Sequence, residues 1–164
     1  KEITDKETAE KNMKDLFNVE SDGHLIFENY IAKKCFQGER TFLNGNKLAF
    51  LEPLEATSTT FHLEVAKYAW DHIMNGANKE LCNKNIRDEM KRIETFVLWH
   101  YQQGSKYDTP FWEYAKSLPF YVNKEFVNMT NLSNHNDFVN LSKNLESYSQ
   151  WRALSFKTWI DGTH

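Results

Sequence analysis

Residues 48–58 read Leu-Ala-Phe-Leu-Glu-Pro-Leu-Glu-Ala-Thr-Ser, and this stretch divides the chain into two kinds of structure. Its first four residues are a continuous apolar run of strand length. Pro53 then holds Glu52 in an extended conformation, so the strand cannot run smoothly into the next element. Upstream, Leu25, Phe27 and Tyr30 alternate, and Cys35-Phe36 lead into a turn at Gln37-Gly38-Glu39-Arg40. Thr41-Phe42-Leu43 is split from Leu48–Leu51 by Asn44-Gly45-Asn46, a loop of hairpin composition. Two to four short strands are expected before Pro53, preceded by a short helix. Thr4 and Glu7 have the spacing of a capping box for that helix, which should end near Asn18.

After Pro53 the period changes to that of a helix. Phe61, Val65, Tyr68, Ala69 and Ile73 share one face of a helix capped at Ser58 or Thr59 and stopped by Asn75-Gly76. Cys82, Ile86, Met90, Ile93, Val97 and Tyr101 keep a 3.6-residue period for more than five turns, ending before Gly104. Thr109-Pro110 places a capping hydroxyl ahead of a proline at the first helical position, for a helix reaching about Leu118. Residues 123–144 are rich in asparagine and serine, with Phe126, Phe138 and Leu141 as anchors. The stretch from Phe138 to Trp159 reads as helical. The fold class is therefore α+β, with a few short N-terminal β-strands and then a mainly α-helical C-terminal region. Residues 1–55 form the strand-rich part and 56–164 the helical part.

Composition narrows the function. At 164 residues, with 40% hydrophobic and 26% charged, the chain is one ordinary domain and too apolar to be disordered. It has no long uncharged apolar run, and its mean hydropathy is −0.69, which argues against a membrane span. A net charge of −3 leaves no basic footprint for nucleic acid. With no leader of basic and apolar residues and only Cys35 and Cys82, free thiols in a reducing cytoplasm are expected. The six glycines are too scattered to make a GxGxxG or a phosphate-binding loop, so the chain has no nucleotide cradle of its own.

The candidate chemistry is concentrated at the joint. His62 and His72 are ten residues apart, which is not the spacing of a shared metal ion, and no metal is expected. There is no Gly-x-Ser-x-Gly elbow, and neither cysteine has a context that would activate it. Glu52 and Glu55, in contrast, flank Pro53 just before a helix. The free N–H groups of Thr57 and Ser58 and the positive end of the helix dipole offer a site for a small anion. The same residues also suit a plain helix start, with Glu55 offsetting the dipole and Ser58 capping.

Residues 50–58, Phe-Leu-Glu-Pro-Leu-Glu-Ala-Thr-Ser, resemble the EPLE(S/A)T(G/S) signature of flavin-dependent tryptophan halogenases. Phe96–Trp112, reading FVLWHYQQGSKYDTPFW, is similar to that family's HY…D(S/T)PFW stretch, in the right order. Phe36-Gln37-Gly38-Glu39-Arg40 followed by Asn44 resembles the turn and asparagine upstream of the first signature. The likeness covers roughly residues 20–162 and implies part of a flavin monooxygenase-like halogenase fold. In that family reduced FAD and oxygen convert a bound halide to hypohalous acid, which halogenates an electron-rich aromatic such as tryptophan or indole. By position, Glu55 matches the catalytic glutamate, a general base for the ring proton. Thr57 and Ser58 match the pair whose backbone amides hold the halide.

The resemblance also implies a flavin reductase as partner and an aromatic small molecule as substrate; a homodimer is one assembly open to the chain, over surfaces that a missing domain would otherwise cover. Tyr148, Trp151 and Trp159 are the candidates for stacking on the substrate, although an aromatic stripe at helical spacing also suits a core. The chain departs from the family in having Ala49-Phe50 where Gly-Phe is usual. It also lacks the dinucleotide fingerprint, the WxWxIP motif and the lysine that accompanies the glutamate. The resemblance therefore implies a C-terminal portion, inactive alone. Two other readings stay open, a helical interaction module without catalysis and a flavin monooxygenase relative that does not use halide.

Overall fold

A computed structural model describes residues 4–23, 28–51, 57–103, 106–120, 122–135 and 137–163. Helix accounts for 65% of the described residues and the strands are short antiparallel pieces, so the class is α+β with helix dominant. Helix α1 spans Lys6–Phe17. Its cap is Asp5 rather than Thr4, because the Asp5 carboxylate accepts the Thr8 N–H at 2.7 Å and also offsets the helix dipole. Asn18 closes α1 in the left-handed conformation, and α1 buries none of its residues.

Strand β1, Tyr30–Ile31, pairs antiparallel with β2, Ala49–Phe50. The expected hairpin across Asn44-Gly45-Asn46 does not form. Asn44 accepts the Gly45 N–H at 2.8 Å and starts a turn of 3-10 helix over Gly45–Lys47 instead. Residues 41–43 fold back on 35–37 across the turn at Gly38, with Gln37 N–H donating to Thr41 O and Leu43 N–H to Cys35 O. Buried Asn83, from a later helix, accepts the Cys35 N–H at 2.8 Å and holds this loop against the core. Leu25 and Phe27 lie outside the described residues.

Helix α2, Thr57–Asn75, and helix α3, Lys79–Gln103, are joined through Gly76, whose φ of 71° suits glycine. α2 starts earlier than expected, so Ser58 and Thr59 lie in its first turn instead of capping it. Thr57 packs inward with 1% exposure, and its burial carries the first turn forward. α4, Pro110–Ser117, begins where Thr109-Pro110 indicates, but the Thr109 hydroxyl makes no capping bond. Proline has no N–H, which already removes one donor from that helix end.

The asparagine-rich stretch is two capped helices. Asn123 accepts the Phe126 N–H ahead of α5, Lys124–His135, and Asp137 caps α6, Phe138–Lys143. The continuous helix expected from Phe138 to Trp159 is broken. Asn144 accepts the Glu146 N–H at 2.7 Å, and a small hairpin comes next, with β3 at Ser147–Tyr148 and β4 at Trp151–Arg152. Helix α7, Ala153–Thr163, resumes directly after it. Phe138 is exposed rather than an anchor, with the Lys157 ammonium 5.4 Å from its ring.

α3 forms the middle of the core. Ile86, Ile93 and Phe96 are nearly fully buried, as are Phe61 and Val65 of α2 and Phe156 of α7. Each such side chain contributes roughly 1.5–3 kcal/mol by leaving water. Arg92 ties α3 to α5 through a two-point contact with Glu125, at 2.8 and 3.3 Å. Buried Ser133 on α5 donates to Met129 O and lies 2.9 Å from Ala153 O, which places α5 beside α7. No helix among the described residues is long and apolar enough to cross a membrane.

Candidate functional site

The joint singled out in the sequence lies at one edge of this core. Glu52–Ala56, including Glu55, fall outside the described residues, but both flanks are defined. On one side, β2 ends at Phe50 and Leu51 comes after it; on the other, Thr57 and Ser58 are the first two residues of α2. The first N–H groups of a helix are the ones that look outside it for a partner. The positive end of a 19-residue helix is at the same place.

A narrow cleft of about 10 Å³, at the lower limit for one water molecule, lies between these flanks. Ala49, Leu51, Phe61, Met90 and Ile93 make it apolar, and Thr57, Ser58 and His62 supply its polar groups. Two polar atoms there are buried and have no hydrogen-bond partner, Thr57 Oγ1 and His62 Nδ1. Burial holds the His62 imidazole below its ordinary pKa, which favours the neutral ring near pH 7. Asn44, of the turn-and-asparagine motif, donates from Nδ2 to the His62 carbonyl at 3.4 Å. The third motif is thereby attached to the first turns of α2.

A second, larger cleft of about 370 Å³ lies between α3 and α4. Its wall carries the rings of Tyr101, Phe111 and Tyr114, and Leu51 reaches it from the strand end of the joint. The HY…DTPFW stretch and the EPLEATS flank therefore meet here, although 49 residues separate Tyr101 from Glu52. Trp112 stacks on Tyr101 from beside the cleft, with ring centroids 6.0 Å apart. Such a volume and lining suit a flat aromatic ligand.

A family model described as tryptophan halogenase matches residues 1–158. The chain belongs to the tryptophan halogenase family. Its function is accordingly of the halogenase type. In this halogenase the second motif and Leu51 of the first share the larger cleft, and Asn44 of the third is bonded to the His62 carbonyl beside the smaller one.

The halogenase residues proposed for substrate stacking are placed differently. Tyr148 and Trp151 are buried at 1% and 5% exposure. Trp151 lies flat on Phe96 at 3.8 Å, and Tyr148 packs edge-on against Phe126 and Phe156. Trp159 is half-buried, stacks on His100 at 3.8 Å, and has its indole N–H buried without a partner. These rings face one another across the core. Reading the sequence missed the residues that do line a cleft, Phe111 and Tyr114, and the place of His62 at the helix mouth. One signal was available: Tyr101 and Phe111 belong to a motif shared with enzymes, whereas Tyr148, Trp151 and Trp159 have only their spacing.

The described residues make no nucleotide cradle for the flavin, whereas the start of α2 is the type of helix end at which a small anion is held. FAD needs a glycine-rich turn that lets backbone approach its phosphates. The described glycines at 23, 38, 45, 76 and 162 have nothing within 4 Å of where a Cβ would stand, and none forms such a cradle. Among the described residues there is also no group of three or more side chains that could hold a metal.

Proposed function

We propose that these residues form the halide and substrate end of an FAD-dependent halogenase that halogenates an electron-rich aromatic ring. FAD is held by residues outside the two clefts, and a flavin reductase supplies it in reduced form. When bound, it supplies with oxygen the two-electron oxidation of halide, and hypohalous acid carries the halogen to the ring. The observation that carries the reading is the buried, unpartnered Thr57 hydroxyl in the first turn of α2.

The roles of the chain's own residues derive from that geometry. The N–H groups of Thr57 and Ser58 hold the halide against the helix dipole. The cleft between α3 and α4 holds the ring and excludes water from it. Halogenation breaks the O–X bond of hypohalous acid, forms the carbon–halogen bond in place of a ring C–H, and releases the hydroxide, which ends as water. Glu55 takes the proton that leaves that carbon, which a positioned carboxylate can do as general base. Cys35 and Cys82 are free and buried, which supports a reducing, cytoplasmic setting.

The halide role is tested by thermal unfolding of the chain in sodium chloride or bromide against sodium gluconate at equal ionic strength. At ten times the dissociation constant, halide should raise the midpoint by about 3 °C. Identical midpoints in halide and gluconate would overturn it.

A further inference from the structure

We infer that the cleft between α3 and α4 selects an aromatic amine over an aromatic acid, with Glu94 holding the ammonium group. The inference rests on reading that cleft as the place of the aromatic substrate. Among the described residues that line it, Glu94 carries the one charge. Glu94, Leu98 and Tyr101 lie four and then three residues apart on α3, so the carboxylate shares a helix face with the Tyr101 ring. Most nearby carboxylates are committed. Glu89 is engaged by Ser149 and Arg92, Glu125 by Arg92, and Asp88 by Lys84. Glu94 has no ion pair or hydrogen bond to a described residue.

An unpaired carboxylate at the rim of an apolar, aromatic-walled cleft gives the site its polarity. With the ring between Phe111 and Tyr114, a side chain bearing an ammonium group finds its counter-charge at the rim. One bearing a carboxylate meets a like charge at the rim. Among the described residues, the lining holds no lysine or arginine that would reward an acid. Glu94 thus decides the substituent and the rings decide the aromatic body.

Calorimetric titration of the full chain with tryptamine and with indole-3-propionate at pH 7 tests this. Tryptamine should bind about tenfold more tightly. Glu94→Gln should bring the two within about twofold, and Glu94→Lys should reverse the order. Equal binding by the unmodified chain, or a preference that survives Glu94→Gln, would overturn the role of Glu94 and leave the cleft standing. If neither compound binds, the cleft is not the substrate's place, and the inference falls with it. Glu94 is exposed, so unchanged thermal midpoints should accompany both substitutions.

Discussion

Thr57 and His62 line the same narrow cleft at the start of α2, and each has a buried polar atom with no partner. A buried hydroxyl without a hydrogen bond costs about 1–3 kcal/mol, so two orphaned atoms in one cleft make the start of α2 costly to hold.

Thr57→Val separates occupancy from packing. Valine keeps the branched shape and replaces the orphaned hydroxyl with a methyl group. Without halide the variant should be more stable by about 1 kcal/mol in urea unfolding. With saturating chloride that advantage should shrink. A loss of stability in both conditions would show that the hydroxyl has a partner.

His62 should give the folded state a specific pH dependence. Burial lowers its folded pKa below the unfolded value, so the unfolded chain takes up a proton first as pH falls. The stability it contributes is complete above the unfolded value of about 6.5 and is lost as pH drops through the folded value. Unfolding free energies measured from pH 8 to pH 5 should therefore decline, and His62→Phe should flatten that decline. An unchanged slope in the variant would place the ring in solvent.

Asn83 holds the loop that carries the turn-and-asparagine motif. Its Oδ1 accepts from Cys35 N at 2.8 Å and from Phe36 N at 3.4 Å, all three residues being buried. Asn83→Leu strands these donors and should cost about 2 kcal/mol in urea unfolding. A cost below about 0.5 kcal/mol would mean that the loop is held by other contacts.

The long elements were legible because their apolar periods are strong. From Cys82 to Tyr101 the 3.6-residue repeat gives α3 its span, and Asn75-Gly76 marks the end of α2. The misread places are those where a polar side chain overrules the local pattern. Asn44 converts a hairpin loop into a 3-10 turn, and Asn144 interrupts a helix that the aromatic spacing otherwise supports. Asp5 takes the cap from Thr4 for a similar reason. For the candidate site, sequence located the mouth of α2, since a helix start is a local property. The cleft between α3 and α4 depends on Leu51, Tyr101 and Phe111 meeting in space, and no local pattern encodes that.

The most direct measurement is a paired assay of Glu55→Gln in the enzyme supplied with reduced FAD, oxygen, bromide and an aromatic amine. Brominated product is followed by its isotope pattern and flavin oxidation by absorbance. A general base that acts on the ring proton should, when removed, lower product formation by about 100-fold or more while flavin oxidation continues at the unmodified rate. Product formation that survives the substitution, or an equal loss of both rates, would contradict the account.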